Sequence, residues 1–469
     1  MQAKPVTPIA QFPADFVWGV ATSAFQIEGA ATLDGKGRSI WDAFCEQPGA
    51  IADASNGLVA CEHYQRWNED LDLIASLGVD AYRFSVSWPR VRPDGAGTWN
   101  AKGLDFYDQL VDGLVARGIK PYLTLNHWDL PDALQASGGW TDRDTVHRFV
   151  EYAQCIEQRL GDRVVSITTH NEPWVMSVLG YESGIFAPGI KSRAAMTQAA
   201  HHLMLSHGLA LQALRAQGAR APLGIVLNLS PVQPATDSAA DAAQAHLEDG
   251  KLLRWYMDPL FKGVYPADVL AHFGADAPCV QPGDMQTIVT PMDFLGVNYY
   301  SRSVVSAQGP WDVRQSGLPL TAMDWEVYPE GLTQLLVRLH RDYAVPPMYI
   351  TENGGAFPDP VVQGQVHDAD RIDYIARHIG AVADAMRQGV VMHGYMIWSL
   401  LDNFEWASGY AKRFGIVHVD YETQRRTPKD SALWYRSQLL ARRRLLAPSP
   451  AEPADEPALE AEVMASKGA

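Results

Sequence analysis

The chain has 469 residues, of which 47% are hydrophobic and 20% are charged, and this composition is typical of a packed globular protein and excludes wholesale disorder. The formal net charge of -16, with no block of basic residues, excludes binding to a nucleic-acid backbone. No apolar run approaches the roughly 20 residues of a membrane-spanning helix, and the N-terminal segment lacks the apolar centre of a signal peptide. We therefore predict a cytoplasmic protein with no nucleic-acid or membrane partner.

Eight apolar segments of strand length occur along the chain, separated by polar loops and by segments with helical periodicity. They are residues 15–22, 79–86, 120–126, 164–171, 222–228, 293–300, 348–353 and 393–400. One helical segment, LDFYDQLVDGLVARG, ends at Gly118, and glycine favours the end of a helix. Near-continuous apolar strands are typical of a parallel sheet covered on both faces, so eight strand–helix units predict a single (β/α)8 TIM barrel with enlarged loops after the strands. A doubly wound sheet is the alternative fold, but no GxGxxG motif follows the first strand.

The end of the chain differs in composition from the rest. Residues 447–469 read APSPAEPADEPALEAEVMASKGA and are rich in Pro, Ala and Glu without helical spacing of apolar residues. We therefore predict a catalytic barrel over residues 1–446 and a disordered tail over residues 447–469.

Amides, carboxylates and aromatic residues follow the predicted strands, at the face of a barrel where active sites lie. They include Gln26, Arg83, Asn126, His127, Trp128, Asp129, Asn171, Glu172, Asn228, Asn298, Tyr299, Tyr300, Glu352, Asn353, Trp398, Asp402, Asn403, Glu405 and Trp406. Packing alone does not explain such a cluster.

Two glutamates, Glu172 and Glu352, stand at the ends of the fourth and seventh predicted strands. A single glutamate at a strand end is more often a solvated loop charge, but each of these has an asparagine neighbour. Cleavage of a glycosidic bond needs two carboxyls, one to protonate the leaving oxygen and one to attack the anomeric carbon or to activate water. Proline follows Glu172 and predicts an extended backbone there, which would hold the carboxyl in one pose.

Seven blocks of sequence resemble the β-glucosidases of glycoside hydrolase family 1, in the order found in that family. The blocks are FVWGVATSAFQIEGA (16–30), YRFSVSWPR (82–90), HWDLP (127–131), NEPW (171–174), NYYS (298–301), YITENG (349–354) and WSLLDNFEWASGYAKRFG (398–415). Each block alone is a weak signal, but seven in register are specific. The resemblance implies one barrel, no metal and no cofactor, and retaining hydrolysis of terminal β-glucosyl, galactosyl or fucosyl residues of small β-glycosides, with a role in carbohydrate metabolism such as cellulose degradation.

The resemblance also assigns the two carboxyls. It makes Glu352 the nucleophile and Glu172 the acid/base, and a retaining pair stands about 5 to 5.5 Å apart. Because two carboxylates at that distance do not both ionise easily, we expect Glu352 to raise the pKa of Glu172 and to be the main influence on it. Arg83 is expected to keep Glu352 ionised, and Tyr300 to donate a hydrogen bond to it.

The remaining site residues follow from the same resemblance. Gln26, His127, Asn171, Glu405 and Trp406 are expected to hold the nonreducing sugar, with Asn171 at the 2-hydroxyl. Trp398 is expected beneath the sugar ring and Trp325 at the entrance. Tyr300 is also expected to bind the substrate, and Asn298 is expected to support the site. His170 stands where many relatives carry an apolar residue.

Three alternatives remain open. A 6-phospho-β-glycosidase would hold phosphate with a serine, a lysine and a tyrosine, whereas this chain has Glu405, Lys412 and Phe414 there; we expect Glu405 to repel a phosphate. A catalytically weak sugar-binding barrel would have lost a carboxyl, whereas both carboxyls are present here. A metal-dependent hydrolase would need metal-ligating side chains, and the sequence shows no HxH, HExxH or carboxylate cluster. The histidines at 201, 202 and 207 have no i,i+4 partner, and we predict that they pack within a helix.

Overall fold

A computed structural model describes residues 9–446, and its central element is a closed barrel of eight parallel strands. In chain order the strands are β1 Val17–Ala21, β2 Ala81–Ser85, β3 Lys120–Asn126, β4 Ser166–Asn171, β5 Leu223–Asn228, β6 Phe294–Asn298, β7 Met348–Asn353 and β8 Met392–Trp398. Each strand pairs with its neighbours in this order, and β1 pairs with β8 to close the barrel. The predicted TIM barrel is confirmed, and every strand end lies within two residues of its prediction.

Helices cover the outside of the barrel. In chain order the principal ones are α1 His63–Leu77, α2 Ala101–Ala116, α3 Arg143–Leu160, α4 Arg193–Ala216, α5 Trp255–Lys262, α6 Pro329–Asp342, α7 Ala369–Arg387 and α8 Asp430–Leu446. Further helices span Ala24–Ile27, Ile40–Cys45, Trp88–Val91, Asp132–Ala136, Ala239–Asp249, Ala267–Phe273 and Asp284–Ile288. Gly118, with φ of 69°, follows the end of α2, as expected for a glycine in the left-handed conformation.

The loops after the strands are enlarged, as predicted, and carry structure of their own. A π-helix spans Val175–Glu182 directly after β4. Short strands Val232–Pro234 and Ser303–Val305 pair with each other, as do Val361–Val362 with Gln365–Val366 and Val417–Val419 with Arg426–Pro428. These additions surround the C-terminal ends of the barrel strands.

Side chains fill the inside of the barrel. Ala21, Ala81, Tyr122, Met396 and Trp398 pack together there and are buried. The polar residues predicted from the sequence therefore gather at the C-terminal strand ends, above this packed layer. Residues 447–469, where a tail is predicted, lie outside the described residues.

Within residues 9–446, no helix is both long and apolar enough to cross a bilayer. The histidines at 201, 202 and 207 all lie in α4 and are buried.

Candidate active site

Glu352, near the end of β7, is held by a cation and a phenol. Arg83 from β2 donates from one guanidinium nitrogen to Oε1 of Glu352 at 2.6 Å. Tyr300, just beyond β6, donates its hydroxyl to Oε2 at 2.6 Å, which is the hydrogen bond expected from the sequence. The carboxyl is 3% exposed, so this charged pair lies away from bulk water. Both oxygens of Glu352 thus accept strong hydrogen bonds that favour its ionised form.

Glu172, which follows β4, has a different set of partners. The side-chain amide of Asn298 donates to Oε1 of Glu172 at 2.5 Å, and no cation bonds to this carboxyl among the described residues. The residue is 4% exposed. An amide donor stabilises a carboxylate less than an ion pair does, so Glu172 is the carboxyl better suited to carry a proton.

The backbone of Glu172 does not adopt the extended conformation predicted from the proline that follows it. Its φ is +52°, in the left-handed region, so that prediction was wrong. The Glu172 N–H donates to the carbonyl of Val226 on β5, and the Glu172 carbonyl accepts from Val175 in the first turn of the π-helix. These two bonds make Glu172 the junction between strand and helix and override the preference of a residue before proline.

Burial has the largest influence on the pKa values of the two carboxyls. It raises the pKa of Glu172 well above the ordinary range, and the charge of Glu352 raises it further. Burial also raises the pKa of Glu352, but Arg83 and Tyr300 oppose that rise. The expectation that Glu352 largely sets the pKa of Glu172 is corrected here, since removal from water has the larger effect.

Asn171, the last residue of β4, connects the carboxyl cluster to His127 and Trp128. Its Oδ1 accepts from Arg83 at 2.7 Å and from Asn298 at 3.1 Å. Its Nδ2 lies 3.2 Å from Nε2 of His127, and its backbone carbonyl accepts from the indole of Trp128 at 2.8 Å. Arg83 therefore bridges Asn171 and Glu352 with the two ends of one guanidinium.

His127, Trp398 and Trp406 form an aromatic group beside these residues. The ring of His127 lies 5.7 Å from that of Trp398 and 6.1 Å from that of Trp406, and is nearly parallel to both. Burial, assisted by the charge of Arg83, lowers the pKa of His127 well below the ordinary range, so the imidazole is neutral. With Nε2 accepting from Asn171, Nδ1 carries the proton and is a free donor among the described residues.

Gln26 and Glu405 lie in the loops after β1 and β8. Nε2 of Gln26 donates to Asn403 Oδ1 and to the Phe404 carbonyl, both at 2.9 Å, which joins the two loops. Burial and the charge of Glu352 raise the pKa of Glu405 to about 8. Its Oε2 is buried without a hydrogen-bond partner in the part of the chain that the structure describes. Such an orphaned oxygen is suited to a ligand hydroxyl.

Trp325 stands apart from Gln26 and Glu405 and packs against Tyr300 and Phe414. It is partly exposed, and its ring lies 5.4 Å from Tyr300 and 6.1 Å from Phe414. The site residues predicted from the sequence lie at or beyond the C-terminal ends of the barrel strands, except Arg83, which lies inside β2 and reaches Glu352 from there.

Two residues orient the site in ways that the sequence did not indicate. Thr351 donates to Oδ1 of Asn298 at 2.7 Å, which directs the asparagine amide toward Glu172. The ring of Trp128 also packs against that of Trp406, with the ring centres 4.5 Å apart and the planes tilted by 38°, in addition to its bond to β4. Trp128 was visible within the HWDLP block, but a threonine inside an apolar strand carries no comparable signal.

Among the described residues, no group of three or more histidine, cysteine or acidic side chains is arranged to hold a metal ion. The site therefore consists of two buried carboxyls, one bonded to a cation and a phenol and the other to an amide, surrounded by amides, an imidazole and aromatic rings.

Comparison with known proteins agrees with this geometry. Glycosyl hydrolase family 1 matches residues 9–443. A β-glucosidase of Agrobacterium sp. is 47% identical over 92% of this chain and 96% of its own length, and a bifunctional β-D-glucosidase/β-D-fucosidase of Bifidobacterium breve is 43% identical over 91% and 97%. The structure of a β-glucosidase from Thermotoga maritima in complex with glucoimidazole superposes with a TM-score of 0.89 at 43% identity, covering 92% of this chain and 100% of that one. The chain belongs to glycosyl hydrolase family 1.

Proposed function

We propose that the chain is a retaining β-glycosidase that removes terminal nonreducing β-D-glucosyl residues from small β-glycosides. The observation that carries this proposal is the unequal environment of the two carboxyls. Glu352 bonds to Arg83 and Tyr300, whereas Glu172 bonds to an amide. This asymmetry supports Glu352 as the ionised nucleophile and Glu172 as the protonated acid.

In the first step, an oxygen of Glu352 attacks the anomeric carbon and forms a glycosyl ester. The bond from that carbon to the leaving oxygen breaks, its electron pair stays on the oxygen, and Glu172 supplies the proton. Arg83 and Tyr300 hold Glu352 by its two oxygens, and Tyr300 remains as a donor when one oxygen becomes esterified.

In the second step, water replaces the leaving group. Esterification removes the negative charge of Glu352, and with it the repulsion that helps to raise the pKa of Glu172. Glu172, now a carboxylate, accepts a proton from water while the oxygen of that water attacks the anomeric carbon. The ester bond breaks in this step and releases Glu352. Two displacements at one carbon retain the β configuration.

The polar groups around the carboxyls support recognition of an unphosphorylated sugar. We assign the nonreducing sugar to Gln26, His127, Asn171, Glu405 and Trp406, with Trp398 beneath the ring. The unpartnered atoms, Nδ1 of His127 and Oε2 of Glu405, supply one donor and one acceptor or donor for hydroxyls.

Acceptance of fucosyl and galactosyl residues is a finer part of the proposal. The Bifidobacterium breve relative is named for both glucosidase and fucosidase activity. We propose the same breadth here, with glucose preferred. A cytoplasmic location and a role in cellulose degradation also remain predictions.

A 6-phospho-β-glycosidase is not favoured, although one reason given for excluding it changes. The sequence predicts that the charge of Glu405 repels a phosphate. Because the pKa of Glu405 is about 8, its carboxyl is largely neutral near pH 7, and this repulsion is weak. Lys412, however, donates to the carbonyl of Ala322 and is already engaged. Phe414 is buried and has no hydroxyl to offer.

The proposal is tested by azide rescue of two alanine variants. In Glu352→Ala, azide takes the place of the nucleophile and attacks once, so a substrate with a good leaving group should yield the α-glycosyl azide. In Glu172→Ala, azide takes the place of water in the second displacement, and the product should be the β-glycosyl azide. The two products are distinguished by NMR.

The matched control is Glu28→Gln, a buried glutamate paired with Arg90 outside the site. It should turn over an aryl β-glucoside without azide. Full activity in Glu352→Ala, or the same azide anomer from both variants, would contradict the assignment.

A further inference from the structure

Strand β4 contains a β-bulge immediately before its functional residues. On the side facing β5, Thr168 pairs with Gly224 and Asn171 pairs with Val226, so two residues of β4 oppose one of β5. On the side facing β3 the register is regular, with Asn126 opposite His170. The two residues of β4 that oppose the single residue Ile225 are Thr169 and His170. A bulge of this kind changes the direction of the side chains that follow it.

Both bulge residues bond to the same outer helix, although consecutive side chains of a regular strand point to opposite faces. The hydroxyl of Thr169 lies 2.8 Å from Nδ1 of His207, and Nε2 of His170 lies 2.8 Å from the hydroxyl of Ser206. Ser206 and His207 are consecutive residues of α4. We name the four side chains, Thr169, His170, Ser206 and His207, the β4 latch; all four are buried.

The hydrogen bonds of His170 form a chain with a consistent direction. Ser206 donates to the carbonyl of Leu203 at 2.8 Å, so its oxygen is available to accept from Nε2–H of His170. Nδ1 of His170 then accepts from the amide of Asn126 at 3.1 Å. The ring also stacks on Phe149 at 4.3 Å. The neutral imidazole has both nitrogens satisfied and connects β3, β4 and α4.

Beyond the bulge the chain turns back into the barrel. Asn171 bonds to Arg83, and the next residue, Glu172, bonds to Asn298. The side chains of Thr169 and His170 both face the outer helix, and those of Asn171 and Glu172 both face the inside of the barrel. The bulge makes this departure from strict alternation possible. The conformation of the bulge therefore sets where the Glu172 carboxyl stands relative to Glu352.

We propose that His170 is a positioning residue for the reaction, and that the β4 latch fixes the bulge that directs Asn171 and Glu172 into the site. This inference rests on the proposed function, in which Glu172 protonates the leaving group. Displacing the carboxyl of the catalytic acid by about 1 Å can lower the reaction rate by up to about 100-fold. The effect should depend on the leaving group, because an acidic phenol departs without a proton whereas an alkoxide does not.

The test variant is His170→Phe, which keeps an aromatic ring against Phe149 and removes both hydrogen bonds. We expect kcat/KM for an alkyl β-glucoside to fall roughly tenfold, and that for 2,4-dinitrophenyl β-glucoside to change by less than about twofold. Ser206→Ala removes only the bond to α4 and should shift the ratio in the same direction by a smaller factor. It also keeps the inference testable if His170→Phe does not fold.

The matched control is His202→Gln, a buried histidine of α4 that bonds to Gln198 and to the Trp140 carbonyl rather than to β4. It should lower the thermal midpoint without altering the ratio between the two substrates. Equal losses for both substrates in His170→Phe and Ser206→Ala would overturn the inference.

Glu172→Ala, measured in parallel, separates this failure from failure of the proposed function. A selective loss with the alkyl glucoside of about 100-fold or more in Glu172→Ala supports the acid/base assignment on its own. If that selectivity is present and both latch variants lack it, only the role of the latch is wrong. If Glu172→Ala lacks it, the assignment of the acid fails and the inference fails with it.

Discussion

Two clusters of charged side chains lie at the C-terminal side of the barrel, and they differ in the balance of their charges. Most of these side chains are buried, and that of Arg413 is partly exposed. The catalytic cluster has one cation and three acids, namely Arg83, Glu172, Glu352 and Glu405. The ion-pair cluster has three cations and three acids, namely Arg371, Arg413, Lys429, Asp359, Asp368 and Asp402. The first cluster holds the proposed chemistry, and the second joins the loops after β7 and β8 to the start of α8.

The imbalance appears in the acidity of the carboxyls. Burial raises the pKa of Glu405 to about 8 and that of Glu172 well above its ordinary range. Asp402 is equally buried, yet Lys429 and Arg413 outweigh burial and hold its pKa below the ordinary value. Balanced cations therefore keep a buried acid ionised, and a shortage of cations leaves protons available for catalysis.

The largest expected effect comes from removing the only cation of the catalytic cluster with Arg83→Met. The pKa of Glu352 should rise, because burial would act without the opposing charge. We expect kcat/KM at neutral pH to fall by about 100-fold or more. The acidic limb of the pH–rate profile should move to higher pH, because Glu352 would then lose its proton only at a higher pH.

Arg83→Lys is the matched control, because it keeps the charge and loses the two-ended contact with Asn171 and Glu352. It should show a smaller loss and a smaller shift of the acidic limb. An unchanged acidic limb in Arg83→Met would contradict the role given to the charge.

The second prediction breaks the balanced cluster with Lys429→Met. Nζ of Lys429 lies 2.5 Å from Asp359 and 2.7 Å from Asp402, and all three side chains are fully buried. Removing the cation leaves buried carboxylates underpaired, and we expect the free energy of unfolding to fall by about 3–5 kcal/mol. Urea denaturation measures this change.

The control for that experiment is Lys251→Met, which removes a lysine that is partly exposed, as is its partner Glu248. An exposed ion pair contributes at most about 1 kcal/mol, so the loss should be small. Equal losses from the two lysines would show that the buried cluster has no special weight.

The fold was predictable from the sequence because its strands are buried on both sides. Residues such as Val20, Ile167 and Ile350 belong to near-continuous apolar runs, and these runs marked all eight strands. The strand-end carboxyls were visible for the same reason, as charges interrupting an apolar pattern.

Other features depend on contacts between distant residues and left no local signal. The left-handed backbone of Glu172 follows from its bond to Val226, and the pKa of Glu405 follows from burial near Glu352. The ion-pair cluster joins Asp402 with Lys429 through loops whose sequences show only ordinary charges. Patterns along the chain indicate which residues meet at a strand end, but not how far water is removed from them.

The third prediction uses Glu405→Gln to measure the cost of the imbalance. In the unfolded chain a glutamate ionises near its ordinary value of 4.5, whereas in the folded protein the pKa is about 8. The unfolded state therefore binds fewer protons between these values, and the protein loses stability as pH rises through that window. Glutamine removes the penalty, so the variant should gain stability relative to the parent from about pH 5 to about pH 8, by at least about 1 kcal/mol. A constant difference across this range would contradict the raised pKa.

The smallest effect is expected from Asp129→Asn, which is compared with the same substitution at a second buried aspartate, Asp402. Asp129 is 1% exposed, and burial raises its pKa to about 8, so it is neutral near pH 6. Asp129→Asn replaces one neutral group by another of similar shape, and we expect the free energy of unfolding to change by less than about 1 kcal/mol. Asp402→Asn instead removes a carboxylate bonded to Lys429 and Arg413 and should cost about 3–5 kcal/mol. Similar losses in the two variants at about pH 6 would mean that Asp129 is ionised despite its burial, and that cation balance does not decide the charge state of a buried acid in this barrel.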